Sequence, residues 1–349
     1  MPPRKSSPAA DSSFSDFIQP FVIDRSAIRG RLVRLESALD NILTAHNYPL
    51  PLSRLLAEQI VLAALLSATL TDGGILTVQA KGNGAVRFMV VDVMAGGVIR
   101  GYAATEEDAL GAALKEDKDA GMRALMGEGY LAVTLDEGRD SRRYQGIVEL
   151  AGETVSDAFR GYFLQSQQAQ VVVHVSVQPP DERHKKWRAG GIIIERMPLE
   201  GGHEAESTAA EQDELWQRTG LFMHTLKDAE MLDPDITPQN LLYRLFNEDG
   251  VWVYKLQPLK SGCRCSRERV KSVLKSLPQA ELTDALEDGK LTIHCQFCNK
   301  REVFTTEQIK QLYKKPAPKK SVAGKPPAKK PVAKKPAVKK PGAGKNKKT

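Results

Sequence analysis

The four cysteines of this 349-residue chain fall in two close pairs about thirty residues apart, Cys263-Arg264-Cys265 and Cys295-Gln296-Phe297-Cys298. That spacing meets the demand of a tetrahedral metal: each tight turn supplies two thiolates, and the fold brings the turns together. Four soft sulfurs favour zinc or an iron–sulfur centre. A ferredoxin-like run of closely grouped cysteines is absent from the sequence, which favours zinc. The candidate ligands are therefore Cys263, Cys265, Cys295 and Cys298. His294 stands beside Cys295, but four sulfurs already complete the shell, leaving it a solvated or supporting role. The remaining histidines (His46, His174, His184, His203 and His224) form no spaced cluster and read as surface or packing residues.

Residues 259–313 hold every cysteine in a unit of roughly 55 residues. A unit that small has little core and draws about 10–16 kcal/mol of its folding free energy from a structural metal. Ser266 is placed to cap a helix with Val270, Val273, Leu274 and Leu277 on one stripe. Pro278 ends it and a second helix follows to about Gly289. LTIHCQFC leading into REVFT reads as a hairpin, and Thr306 as the cap of a last short helix. Two readings of the metal stay open: a permanent staple or a switch. Each cysteine pair is also a feasible disulfide. Arg264, Arg267, Arg269, Lys271, Lys300 and Arg301 crowd the sulfurs in sequence and favour the thiolate that oxidants attack.

The rest of the chain reads as α+β, a mixed sheet-and-helix body over residues 14–198. Residues 75–81, 86–95 and 98–103 are rich in β-branched side chains and separated by Gly-Asn-Gly and Gly-Gly, which predicts an antiparallel meander. Further strands are expected at 130–136, 144–150, 170–178 and 190–197. A strand up to Leu35 is followed by a helix capped by Ser37. Ser53 is expected to cap an apolar helix ending near Leu70, and residues 154–168 place Val155, Ala158, Phe159 and Tyr162 at helical spacing. The apolar run at 60–70 is too short to span a bilayer and predicts a buried helix. Residues 199–258 form a helical connector. It has an acidic segment, GGHEAESTAAEQDE, expected to be mobile. A helix with Leu215, Phe222, Leu226 and Ala229 on one seam follows, then a shorter one with Leu241, Leu242, Leu245 and Phe246, and a strand at VWVYKLQ. The connector is too small to hold a core alone and must lean on a neighbour.

Charge separates the body from its end. Residues 314–349 carry fourteen lysines and no acidic residue, so the formal charge of +7 for the chain becomes −7 for residues 1–313. The body is acidic, which argues against a nucleic-acid binder spread over the whole molecule. The KKP-x-x repeat of 314–349 and the polar residues 1–13 have almost nothing apolar to bury and are expected to be disordered. Residues 1–13 also lack the apolar stretch of a secretory signal, so a cytoplasmic protein is expected, without membrane contact and with reduced thiols.

GCRCSRERV together with HCQFCNKREVFT resembles the zinc segment of the heat shock protein 33 family of redox-regulated holdase chaperones. LLSATLTDGGILTVQAKGNG, GVIRGYA, RYQGIVEL, GYFLQSQQ, AGGIIIERMP and NLLYRLFNEDGVWVY resemble segments of that family in the same order. The likeness runs from about Phe14 to Tyr313. It implies an ATP-independent chaperone in which Cys263, Cys265, Cys295 and Cys298 bind one zinc ion while reduced and inactive. It further implies that oxidation forms Cys263–Cys265 and Cys295–Cys298 disulfides and releases zinc. The connector then unfolds, exposing apolar surface to unfolding client proteins, and the active form is a homodimer. The residues that touch clients are not identified by the likeness. The family usually has Ser-Glu-Gln where this chain has Ser166-Gln167-Gln168, and the lysine-rich end lies outside the family pattern.

Other readings have less support. No Gly-x-Ser-x-Gly elbow and no Gly-x-x-x-x-Gly-Lys-Ser/Thr loop occurs, Gly82-Asn83-Gly84 reads as a hairpin turn, and Glu106-Glu107 and Asp117/Asp119 lie in an acidic solvated stretch. An enzyme is not expected. A thiol–disulfide oxidoreductase needs Cys-x-x-Cys at a helix N-terminus in a thioredoxin-like setting, whereas Cys295–Cys298 falls in a hairpin. The main alternative is a zinc-ribbon nucleic-acid binder whose basic end contacts phosphates or another acidic surface in a sequence-blind, salt-sensitive way. Deleting residues 314–349 separates the two. A chaperone keeps its metal content and its light-scattering response to oxidation, whereas a nucleic-acid protein loses its retention of labelled DNA or RNA and with it its function.

Overall fold

The computed structural model describes residues 16–313 except 25, 69, 72, 139–142 and 198–207. The expectations for 1–13 and 314–349, and for the first part of the acidic segment, lie outside these. The chain is α+β. The body opens with β1 (Phe17–Ile23), β2 (Ile28–Leu35), α1 (Ser37–Leu43) and α2 (Leu50–Ser67). It continues through β3 (Ile75–Gly82), β4 (Val86–Met94), β5 (Val98–Thr105), α3 (Glu107–Glu116), α4 (Met122–Met126), β6 (Gly129–Asp136) and β7 (Tyr144–Glu149). After α5 (Val155–Tyr162) and a π-helical turn (Phe163–Gln167) come β8 (Val171–Gln178) and β9 (Arg188–Arg196). The connector holds α6 (Ala209–Thr225), α7 (Asp228–Met231), α8 (Pro238–Phe246), β10 (Val251–Val253) and β11 (Gln257–Pro258). Then follow β12 (Lys260–Ser261), α9 (Arg267–Ser276), α10 (Gln279–Asp284), β13 (Lys290–His294), β14 (Arg301–Thr305) and α11 (Thr306–Leu312).

Two six-stranded sheets carry the body. One has the order β10-β1-β2-β9-β8, with β11 also on β1; the other runs β12-β5-β4-β3-β6-β7. The expected meander is present, with β3, β4 and β5 antiparallel in sequence. Helix α2 lies between the sheets, and its apolar side chains join both inner faces in one core. It is the one helix, among the described residues, long and apolar enough to cross a membrane. It is mostly buried instead, because a sheet covers each side of it. Its charged Glu58 is satisfied by the Ser156 N–H and hydroxyl at 2.8 and 2.5 Å, while burial pushes its carboxyl above the usual range.

Strand β9 is buried on both faces, between α2 and the connector, and its Gly190-Gly191 pair explains how both can approach. A Cβ on Gly191 would stand 2.5 Å from Val61 of α2, and one on Gly190 2.8 Å from Met231 of α7. The outer face of the first sheet, with Phe17, Phe21, Leu32, Ile192 and Ile194, packs against Met223, Leu226, Met231, Leu241, Leu242 and Phe246. The connector thus leans on the body as its composition requires.

Several local expectations change. Helix α2 begins at Leu50, and Ser53 is inside it, donating to the Tyr48 carbonyl at 3.3 Å. Ser37 is the first residue of α1 and makes no cap; the carboxylate of distant Asp16 accepts from the N–H groups of Glu36 and Ala38 at 2.8 and 3.0 Å. The acidic run is helical from Ala209, held by a capping box of Thr208 and Glu211. Helix α6 stops at Thr225, so Ala229 leaves the expected seam and is exposed. VWVYKLQ is two short strands rather than one. Strand β1 has no counterpart in the sequence reading because Pro20 interrupts its pattern. The Pro20 carbonyl accepts from Tyr254 N–H at 2.9 Å, so the missing proline N–H falls in the gap between β10 and β11. Gln167 donates to the Tyr162 and Tyr144 hydroxyls at 2.9 and 3.3 Å. The family's usual glutamate would have to accept there, so the departure exchanges one hydrogen-bond polarity for the other.

Arg34 of β2 is the charged group most committed to the connector. Its guanidinium is buried and donates to the carbonyls of Asp233, Ile236 and Glu230 at 3.0, 2.6 and 3.3 Å. Burial brings it down to about 10, still charged at neutral pH. Arg34→Met strands these carbonyls in an apolar layer. The expected loss is about 3 kcal/mol in urea unfolding, with faster amide exchange over α7 and α8 and unchanged metal content.

Candidate metal centre

Two short turns deliver the sulfurs. Cys263 and Cys265 precede α9, whose N-cap is Ser266, accepting from Arg269 N–H. Cys295 and Cys298 occupy the tip of the β13–β14 hairpin, closed by Cys295 N–H to the Lys300 carbonyl at 3.0 Å and Asn299 N–H to the Cys295 carbonyl at 2.8 Å. Asn299 takes the left-handed conformation (φ 52°) that lets the chain reverse there. All four sulfurs lie within 4.8 Å of one another. Cys263–Cys295 and Cys265–Cys298 are 3.6 and 3.5 Å apart. Sulfurs bound at about 2.3 Å to one tetrahedral zinc stand about 3.8 Å from each other, so the set fits such an ion. The cluster can hold a metal.

The thiols are half-buried and crowded. Burial and neighbouring sulfurs push Cys265 and Cys298 up. Burial opposes ionisation of Cys263 too, but the Cys265 N–H at 3.5 Å and adjacent thiols outweigh it and bring Cys263 down to about 7. Four thiolates at this spacing need a cation to offset their repulsion.

The structure assigns other roles to several residues noticed in the sequence. His294 is exposed and outside the sulfur cluster. Arg267 does not face the thiols: it pairs with Glu302 at 2.7 Å, donates to the Val303 carbonyl at 3.0 Å, and lies 4.3 Å from the Phe304 ring centre. Lys300 also goes to Glu302, at 3.3 Å. Arg267 and Lys300 therefore build the local fold. The α9 stripe is half realised, with Leu274 buried and Val273 exposed, and Thr305 rather than Thr306 caps α11. The core of this unit is only Leu274, Leu282, Leu291, Phe304 and Ile309 with a few flanking side chains.

The hairpin tip is docked on the body. Phe297, between the cysteines of the second pair, has its ring 3.9 Å from the Arg100 guanidinium and 6.2 Å from the Tyr102 ring centre. Its carbonyl is 3.3 Å from His46 Nε2, and Asn299 donates to the Ala45 carbonyl at 3.1 Å. Arg100 is held in place by Asp92 at 2.8 and 2.6 Å, and His46 stacks on Tyr48. Sequence reasoning missed this contact; the one signal was an aromatic residue inside the Cys-x-x-Cys turn.

Residues 16–305 match the Hsp33 protein family. The 33 kDa chaperonin of Caulobacter vibrioides is 38% identical over 287 residues, covering 82% of this chain and 93% of that protein. The 33 kDa chaperonin of Pseudomonas aeruginosa is 35% identical over 303 residues, covering 86% and 95%. The crystal structure of the Thermotoga maritima 33 kDa chaperonin (Heat shock protein 33 homolog) shares the fold, with TM-score 0.70, 23% identity, and coverage of 85% of this chain and 97% of that one.

Phe297→Ala is expected to keep the metal stoichiometry but to speed transfer of the metal to a chromogenic chelator about tenfold, the worth of one partly desolvated cation–aromatic contact. Cys265→Ser is expected to lose the metal and the protease resistance of 259–313.

Proposed function

This chain belongs to the Hsp33 protein family, and on that premise we propose that it is a redox-regulated, ATP-independent holdase chaperone that binds unfolding proteins and prevents their aggregation. The observation that carries the reading is the cluster of four sulfurs within 4.8 Å in a unit with so small a core of its own. In the reduced form Cys263, Cys265, Cys295 and Cys298 hold one zinc ion, which supplies charge compensation and folding free energy to residues 259–313. The division that follows is a body at 14–198, a metastable connector at 199–258 and the switch unit at 259–313.

Activation is thiol chemistry. Each pair of zinc-bound thiolates loses two electrons to hydrogen peroxide, which takes two protons from solvent and is reduced to two waters; one sulfur–sulfur bond forms and the zinc loses those two ligands. The family resemblance supports the pairing Cys263–Cys265 and Cys295–Cys298; sulfur contacts of 3.6 and 3.5 Å also run across the pairs, so peptide mass spectrometry decides it. Once oxidised, the four ligands are gone, and about 10–16 kcal/mol of metal-dependent folding free energy goes with them. That equals the stability of a whole domain, about 5–15 kcal/mol, so unfolding of the unit and release of its hold on the connector follow. Apolar side chains of the connector and the sheet face beneath it, now sharing Phe21, Leu32, Leu241, Leu242 and Phe246, then meet clients. A homodimer in the oxidised state and a cytoplasmic location complete the proposal. The fourteen lysines of 314–349 add a separable contact with nucleic acid or another polyanion.

Peroxide with mild heat is expected to release one zinc per chain, consume four thiols and create suppression of client aggregation in light scattering; dithiothreitol with zinc reverses all three. Retention of zinc with unchanged client binding would contradict the proposal.

A further inference from the structure

The segment that joins connector to cysteine unit, residues 254–262, crosses from one sheet to the other as an extended strap. It closes the outer edge of β1 through β11 and then the outer edge of β5 through the parallel β12. Its grip is main chain to main chain: Tyr254, Leu259, Lys260 and Gly262 N–H groups donate to the carbonyls of Pro20, Asp16, Gly97 and Ile99 at 2.8–2.9 Å. Residues 252–258 are all exposed, and Leu259 alone is buried, in the core between the sheets. Beside it is a cavity of about 430 Å³, lined by Ile18, Ala68, Leu70, Met94, Leu256 and Leu259, that the strap does not fill. The body is shaped for a backbone here. Gly97 (φ 75°) brings its α-carbon so near the strap that a Cβ would stand 2.1 Å from the Pro258 carbonyl oxygen.

We infer that this slot is the client-holding site of the body. It takes an extended peptide segment as an added strand along β1 and β5, with an aliphatic or aromatic side chain where Leu259 now sits. The strap itself shows the mode of binding. Backbone pairing is indifferent to sequence, and the unfilled space admits a side chain larger than leucine. A vacated sheet edge is a ready template for another chain. The inference rests on the proposed function for the client and for the release of the strap when residues 259–313 unfold.

The test uses the full chain and a fluorescein-labelled peptide of residues 252–262. Anisotropy is expected to show micromolar binding to the oxidised, metal-free chain and at least tenfold weaker binding to the reduced, zinc-bound chain. The same peptide carrying Leu259→Asp binds at least tenfold more weakly. Full-length Leu259→Asp, whose own anchor is spoiled, binds the unmodified peptide without oxidation. Ala68→Glu, at a half-exposed position lining the slot, weakens both peptide binding and client capture at least tenfold while zinc content and release stay unchanged.

Failure of the oxidised chain and of the Leu259→Asp chain alike to bind the peptide overturns the slot. Equal competition with client by the peptide and its Leu259→Asp form also overturns it. Binding by the Leu259→Asp chain alone supports the slot and refutes its opening by oxidation. If the peptide dissociates an oxidised dimer yet leaves client capture unchanged, the occupant is the strap of a second copy and the client assignment falls.

Discussion

Four sulfurs brought within 4.8 Å of one another define the constraint on which the C-terminal part of this protein depends. Half-buried thiolates at that spacing repel strongly, and only a cation among them makes the arrangement favourable. The unit around them has five buried apolar side chains, too few to hold two turns together against that repulsion. An ion bound there would make metal binding and folding of residues 259–313 one equilibrium, as the small size of the unit demands.

What happens at the sulfurs reaches the body by two short routes. One is the Phe297 tip, pressed against Arg100, Tyr102 and His46. The other is the strap, which begins three residues before Cys263 as a strand on β5 and continues back along β1. The docked tip holds the unit in place, and the strap covers sheet edges that would otherwise be open. Both depend on backbone or ring contacts at the protein surface, a class of interaction that is strong only while the unit beyond it stays folded.

The connector is bound more firmly. Its helices cover the outer face of the first sheet, and Phe246 stacks on Phe21 with ring centres 5.7 Å apart. Arg34 reaches through that layer to three of its carbonyls, and Asp228 ties α7 to β8 through Ser176 at 2.7 Å. Neither link is exposed to oxidation. The sheet face and the connector thus form a second apolar store, with contacts of its own and joined to the thiol centre through the strap.

The elements most legible in sequence were those governed by local rules. The meander followed from β-branched runs and glycine turns, α5 from its 3.6-residue apolar spacing, and the sulfur set from cysteine spacing alone. Less legible were elements whose cause is remote. Strand β1 carries a proline that only the break between β10 and β11 accommodates. Helix α1 is capped by Asp16, some twenty positions away. The charges around the cysteines pointed to reactive thiols, yet Arg267 and Lys300 are drawn off by Glu302. By itself, then, the sequence determined the α+β class, the connector's need for a neighbour and the four candidate ligands, because periodicity, burial propensity and ligand spacing act over a few residues. Which face the connector covers, where Phe297 docks and how the strap closes two sheet edges were decided only by tertiary structure. Those contacts join residues up to 254 positions apart, and no local pattern records which distant backbone will be their partner.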